Sequence, residues 1–326
     1  MLVLLAVFGV SGRILLDPIP NVQPVTVLVL LTGAYFGAPR AIALAATIAL
    51  ASNVMLLGHG PWTLFQAVGW GAIGLVGALM SSRIVAEGRV RIGPLVAGNT
   101  YRNPALTAKI AATVDHISGG RVVLGLGAGW QENEHEKYGF GFSTVKGRLD
   151  RLDEAVEIVT SLLSNKRTDY QGEYYTILDA PLDPKPIQTK IPLMIGGGGR
   201  KRTLRTAAIH ADEWNYWGMP ADIAELCQVL DAHCDDVGRD PAEIERSACA
   251  LMFISDSEEK LERFRDMDFG RATIVGTPPE VIDIVGEYAE VGLDELIVPD
   301  FTFGPLERKK ESMDLFIERV APAFRS

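Results

Sequence analysis

Gly93-Pro94-Leu95-Val96-Ala97-Gly98-Asn99-Thr100-Tyr101-Arg102-Asn103-Pro104 joins a strand to a helix within a dozen residues. Residues 90–97 form an apolar, partly β-branched run that reads as a strand. Asn103 then offers a side-chain oxygen to the first turn of a helix, and Pro104 fits the first helical position, where its missing N–H costs nothing. Leu106, Ile110, Thr113, Val114 and Ile117 follow at helical spacing until Gly119-Gly120 stops the helix. Strand, short loop and amphipathic helix together make the unit from which parallel sheets are built.

The unit repeats downstream. Residues 121–127 read as a second strand, and Leu149, Leu152, Ala155, Val156, Val159 and Leu163 line one face of a helix over 148–163. Residues 174–192 read as irregular. Strands are expected at 191–196 and 212–217, with helices at 200–211 and from 218 to near Gly238. A strand over 247–255, a helix capped by Thr277 with Pro278 behind it, a strand over 295–299 and a C-terminal helix holding Leu315, Phe316, Ile317 and Val320 complete six strands.

Upstream the composition changes. Apolar residues make up 48% of the 326-residue chain and mean hydropathy is +0.15, but before Arg83 the only formal charges are Arg13, Asp17 and Arg40. A boundary is therefore expected at 83–90, between a hydrophobic segment 1–82 and a domain 91–326. Five arginines against Asp17 and Glu87 give residues 1–91 a charge of 5 − 2 = +3, so the net −10 leaves −13 for the rest. So acidic a domain repels a phosphate backbone, and no basic stripe offsets it, which argues against nucleic acid as a partner. The three cysteines, Cys227, Cys234 and Cys249, form no CxxC pair and read as reduced thiols, as in a cytoplasmic domain.

Runs 18–39, 41–58 and 61–82 carry no formal charge, and each approaches the ~20 residues that cross a bilayer as a helix. With a shorter run before Arg13, three or four transmembrane helices are expected, placing Arg40 and the Arg83, Arg89 and Arg91 cluster on the cytoplasmic side. The protein is then membrane-associated with a cytoplasmic domain, or cytoplasmic if the segment is not inserted. Gly12-Arg13, Pro20-Asn21-Val22-Gln23-Pro24, Ser52-Asn53 and Gly60-Pro61-Trp62-Thr63 resemble part of the substrate-binding S component of energy-coupling-factor vitamin transporters. Helix packing and interfacial anchoring are the plainer roles for Asn53, Trp62 and Gln66.

Three motifs in the acidic domain carry a more specific resemblance. They are Gly93 to Pro104, Asp115-His116-Ile117-Ser118-Gly119-Gly120-Arg121, and Gly125-Leu126-Gly127-Ala128-Gly129-Trp130. With Gly172-Glu173-Tyr174-Tyr175, the stretch Pro192 to Gly199, and Gly276-Thr277-Pro278, they are similar to the luciferase-like monooxygenase superfamily, in its coenzyme F420-dependent branch. The resemblance implies an α/β fold of TIM (β/α)8 type. Only about six of its βα units are counted here, so an incomplete barrel is expected behind an all-α membrane-type segment.

A TIM barrel places its chemistry at the C-terminal ends of strands. The glycines at 196–199 open a helix, where backbone N–H groups and the positive helix end attract a phosphate. Gly197, Gly198, Gly199, Arg200 and Lys201 are accordingly the candidate phosphate end of the cofactor site, with Thr203 beside them. Ala128, Gly129 and Trp130 are candidates for the ring, Ala128-Gly129 by lacking bulk and Trp130 by walling the substrate side. In the family the first of these strands ends in a bulge, often with a non-prolyl cis peptide, and Ala97 and Gly98 suit that role.

Asp115-His116 reads as a helix end and Glu132, Glu134, His135 and Glu136 as a solvated helix start; no metal site is expected. In F420-dependent relatives the second strand delivers acidic and histidine side chains that handle a proton, and residues 1–89 hold no matching motif, so no catalytic residue is assigned. The expected function is hydride transfer between F420, or alternatively FMN, and a small organic substrate, with a homodimer among the expected assemblies and activity reduced by the missing units. The alternatives are a truncated S component for vitamin uptake and an inactive fusion of two partial genes.

Overall fold

Four helix starts in the acidic domain are set by local hydrogen bonds that its sequence supplies. In α2 (Pro104–Ser118) the Asn103 side chain accepts the N–H of Ala105, and Gly119 ends the helix at φ 71°. The computed structural model describes residues 90–300 and 304–324, together with Val29, Thr32 and residues 38–56. The chain divides into two units, Met1–Arg91 and Ile92–Ser326.

In the first unit the described helix is α1 (Ala38–Leu56). It covers most of the expected span 41–58, but Arg40 sits in its first turn and leaves residues 41–56, short of the ~20 a bilayer core requires. Among the described residues no helix is long and apolar enough to cross a membrane. The other expected spans, and most of the segment compared with a transporter component, lie outside the described residues.

The second unit is built on a six-stranded sheet in the order β1 (Ala97–Gly98), β2 (Leu124–Gly127), β5 (Leu193–Gly196), β6 (Glu213–Trp217), β7 (Glu245–Cys249) and β10 (Glu295–Ile297). Every pairing within it is parallel. All four residues of β2 are buried, as befits a sheet covered on both faces. The covering helices are α2, α4 (Val145–Ser164), α5 (Thr203–His210), α6 (Pro220–Val237) and α8 (Pro278–Glu290). Leu152, Ile158, Ile195, Leu204, Trp214, Ile223 and Leu230 are fully buried in the common core.

Each of the six expected strands has a counterpart, with three differences. The run 90–97 pairs only at an isolated bridge, Ile92 with Val122, and then at β1. The run expected over 247–255 is two strands, because after Ala250 the chain leaves β7 and continues as β8 (Leu251–Ile254), paired in parallel with β9 (Thr273–Gly276). The segment 174–192 begins with ordered structure, an antiparallel hairpin of β3 (Thr168–Gln171) and β4 (Thr176–Ala180). Its turn is held by Glu154 of α4, whose carboxylate accepts the N–H groups of Glu173, Tyr174 and Tyr175 at 2.7–3.2 Å. A Cβ at Gly172 would lie 2.3 Å from that carboxylate, which explains the glycine that opens the Gly172-Glu173-Tyr174-Tyr175 motif.

Candidate active site

The site begins with a register shift. Ile92 pairs with Val122 and Ala97 with Leu126, so five steps of one strand face four of the other and one residue is extra. The surplus forms a bulge over 93–96, with a non-prolyl cis peptide between Leu95 and Val96. The bulge carries Val96 across the ends of β2 and β5. Its methyl groups would lie 2.7–2.8 Å from a Cβ at Gly125, Gly127 or Gly196, so Val96 fills the side-chain space of Gly127 and Gly196, and the Pro94 carbonyl, 2.2 Å from such a Cβ, closes that of Gly125 as well.

Above the bulge lies a cleft of about 410 Å³, lined by Leu95, Val96, Gly98, Gly127, Ala128, Gly129, Trp130 and Gly197, with Thr203, Asn215, Tyr216 and Trp217 opposite. Alternation along the strand sends Val96 and Gly98 to this cleft and Ala97 to the other side, toward α2. Its volume is in the range of small-molecule and cofactor sites, roughly 300–1,000 Å³. Gly129 adopts φ 81°, and a Cβ there would lie 2.7 Å from the Thr100 hydroxyl. Arg148 of α4 fixes this loop by donating to the carbonyls of Gly129, at 3.0 Å, and Ser143.

At the other end of the cleft Gly196 and Gly197 of the glycine run form its wall, Gly197 with φ 129°. Gly198 lies under the ring of Tyr216, where a Cβ would approach to 2.5 Å, and Gly199 lies beside the Thr203 hydroxyl. The neighbouring cations are engaged by carboxylates. Arg200 pairs with Glu225 at 2.6 Å, and Arg202 pairs with Asp150 at 2.9 Å and with Asp153. Lys201 is exposed. The arginines therefore brace α5 against α4 and α6, the Gly197 N–H is taken by the Asn215 carbonyl at 2.9 Å, and Thr203 at the start of α5 lines the cleft.

The mouth of the cleft brings together residues that patterning did not connect. Tyr101 lines it beside Glu134 of α3 (Glu132–Tyr138), and the Tyr101 hydroxyl donates to the Glu134 carboxylate at 2.9 Å. Burial first, and then Glu134, pushes the Tyr101 phenol above its ordinary value, so it keeps its proton at neutral pH. Trp130 is 69% exposed at the rim. Arg271 lies between it and Trp217, its guanidinium carbon 5.5 Å from the first ring centre and 4.8 Å from the second. Two tryptophans near one cleft were a signal available in sequence; the arginine joining them was not.

Other residues singled out in sequence have packing roles. His135 is fully buried rather than solvated, bonded to the Gln131 carbonyl and the Thr100 hydroxyl at 2.7 Å each. Asp115 is buried and accepts both N–H groups of Gln188, backbone and side chain, while His116 meets the Lys185 carbonyl, so the pair anchors the segment after β4. Among the described residues no group of acidic, histidine or cysteine side chains could hold a metal. The three cysteines are free and buried.

The model of the luciferase-like monooxygenase family matches residues 78–266. The F420-dependent glucose-6-phosphate dehydrogenase of Segniliparus rotundus is 27% identical, over 82% of this chain and 85% of its own. The 5,10-methylenetetrahydromethanopterin reductase of Archaeoglobus fulgidus is 30% identical over 60% of this chain and 56% of its own. Among solved structures, the coenzyme F420 dependent tetrahydromethanopterin reductase from Methanopyrus kandleri superposes with a TM-score of 0.61 at 22% identity, over 72% of this chain and 84% of that one. These comparisons lend no support to a transporter component in residues 1–82. With its parallel sheet, its bulge and its glycine-lined cleft, this chain belongs to the luciferase-like monooxygenase family.

Proposed function

We propose that the cleft above Val96 binds coenzyme F420, with FMN as the alternative, and that the protein transfers hydride between it and a small organic substrate. The observation that supports this most is the cradle itself. A bulge held by three glycines floors a cleft whose walls, Gly127 to Gly129 and Gly197, lack side-chain bulk where a flat ring would slide in. Bound there, the cofactor supplies the redox chemistry and the protein its orientation.

Val96 would back the ring and Ala128-Gly129 would leave room along its edge. The start of α5 at Thr203 would receive a phosphate through its backbone N–H and hydroxyl, with Gly197 leaving room for it and Lys201 adding charge from outside. Trp130 would shield the substrate side from water. Tyr101 holds a proton at its hydroxyl and passes its hydrogen bond to Glu134, which is exposed. This pair can move a proton between the cleft and solvent.

The test is fluorescence titration of the purified full chain with F420 and, separately, with FMN. Saturable quenching by one of them at one equivalent per chain is expected. The uptake-subunit and inert-fusion alternatives both predict no saturable quenching with either, and that result overturns the proposal.

A further inference from the structure

Arg271, like Arg148, Arg151 and Arg263, lies over an aromatic ring, and it alone among them lies against two rings that line the cleft. Arg200, Arg202, Arg246 and Arg265 each meet a carboxylate at 3.0 Å or less. Arg271 is exposed and has no ion pair among the described residues, although it lies in a unit of net charge −13. What it meets instead is aromatic, Trp130 and Trp217, and both tryptophans line the cleft mouth. These three residues come from separate places in the chain, after β2, at the end of β6 and before β9, so their convergence is a product of the fold.

Two indoles beside a guanidinium hold it in place and shed part of its water while leaving N–H donors to pair with something else. Such a guanidinium presents a fork that matches a carboxylate or phosphate, and partial desolvation strengthens the bond it makes. Nothing in the described protein supplies that anion.

We propose that Arg271, held by Trp130 and Trp217, is the specificity residue of the cleft and receives an oxyanion substituent, carboxylate or phosphate, of the substrate. The proposal rests on the cleft being the substrate site and extends it by naming a substrate class. The surrounding negative charge then serves discrimination. An anion is repelled by the unit as a whole and retained only where its oxygens reach the guanidinium.

The experiment uses the cofactor-free full chain and needs no knowledge of the substrate. Tryptophan emission is followed while inorganic phosphate, or in a parallel series acetate, is added at constant ionic strength maintained with chloride. A saturable change in the wild type is expected with at least one probe, and Arg271→Gln weakens it about tenfold or more, as loss of a charge-assisted hydrogen bond requires. Trp130→Phe, which keeps an aromatic face, reduces it less. A wild type with no saturable response to either probe, or an Arg271→Gln variant that responds like the wild type, overturns the proposal. F420 and FMN titrations of Arg271→Gln are run alongside. Cofactor binding that persists while the anion response is lost separates this proposal from that of the cofactor site.

Discussion

Replacing Gly127 by alanine tests the packing that forms the cleft floor. The new Cβ would lie 2.7 Å from Val96 Cγ2, where ordinary contacts begin near 3.4 Å. Overpacking of this kind costs about 1–3 kcal/mol. Truncating Val96 to alanine removes two methyl groups from a half-buried side chain, worth at most about 1.6 kcal/mol at ~0.8 kcal/mol each. In that background, however, the alanine at 127 meets only the Gly196 carbonyl, at 3.5 Å, an ordinary contact. The double variant should therefore be about 1–3 kcal/mol more stable than the sum of the single changes predicts. Gly125 supplies the contrast, because a Cβ there would meet the Pro94 carbonyl at 2.2 Å, and truncating Val96 leaves that backbone atom in place. Urea unfolding of the full chain, followed by tryptophan fluorescence, measures both cycles. Additive effects of Gly127→Ala and Val96→Ala, or equal rescue of Gly125→Ala, would refute the assigned packing.

Three further outcomes follow from other parts of the fold. Glu154→Ala leaves the turn of the β3–β4 hairpin without its acceptor; a loss of about 1–3 kcal/mol is expected, with faster amide exchange at Glu173, Tyr174 and Tyr175 than in Glu154→Gln. Glu280 is held below its ordinary value of 4.5 by the backbone N–H and hydroxyl of Thr277, and then by Arg265. Because the folded value is the lower one, its contribution is present above pH 4.5 and is lost as pH falls through the folded value, so the stability gap between wild type and Glu280→Gln should close on acidification. Burial raises all three thiols, and Cys249 is pushed up to about 11; at pH 8 Ellman's reagent should label none of them until the protein is unfolded, and a fast-reacting thiol would contradict the buried placement.

What could be read from the sequence was what is set locally. The Asn103-Pro104 start of α2, its Gly119 stop, the Thr277 cap of α8 and the apolar runs of the sheet each depend on neighbours within a few residues. A bulge with a cis peptide was expected from the family resemblance at Ala97-Gly98, but its place over 93–96 was not legible, because an extra residue has meaning only against the strand it pairs with. Nor was the split of 247–255 into two strands, since no glycine or proline interrupts that run and only pairing with β10 and β9 separates its halves. Arg200 suggested phosphate binding because its counter-ion, Glu225, is distant in the chain, as Asp150 and Asp153 are from the neighbouring Arg202. For the same reason Tyr101 with Glu134, and Arg271 with its two tryptophans, emerged only from the fold.

The most direct test of the cofactor site is a crystal structure of the full chain grown with whichever of F420 or FMN saturates it. The ring is expected over Val96, with Ala128 and Gly129 along its edge and the phosphate between Gly197 and Thr203 at the start of α5. A cofactor bound elsewhere on the unit, with the space above Val96 holding only water, would contradict it.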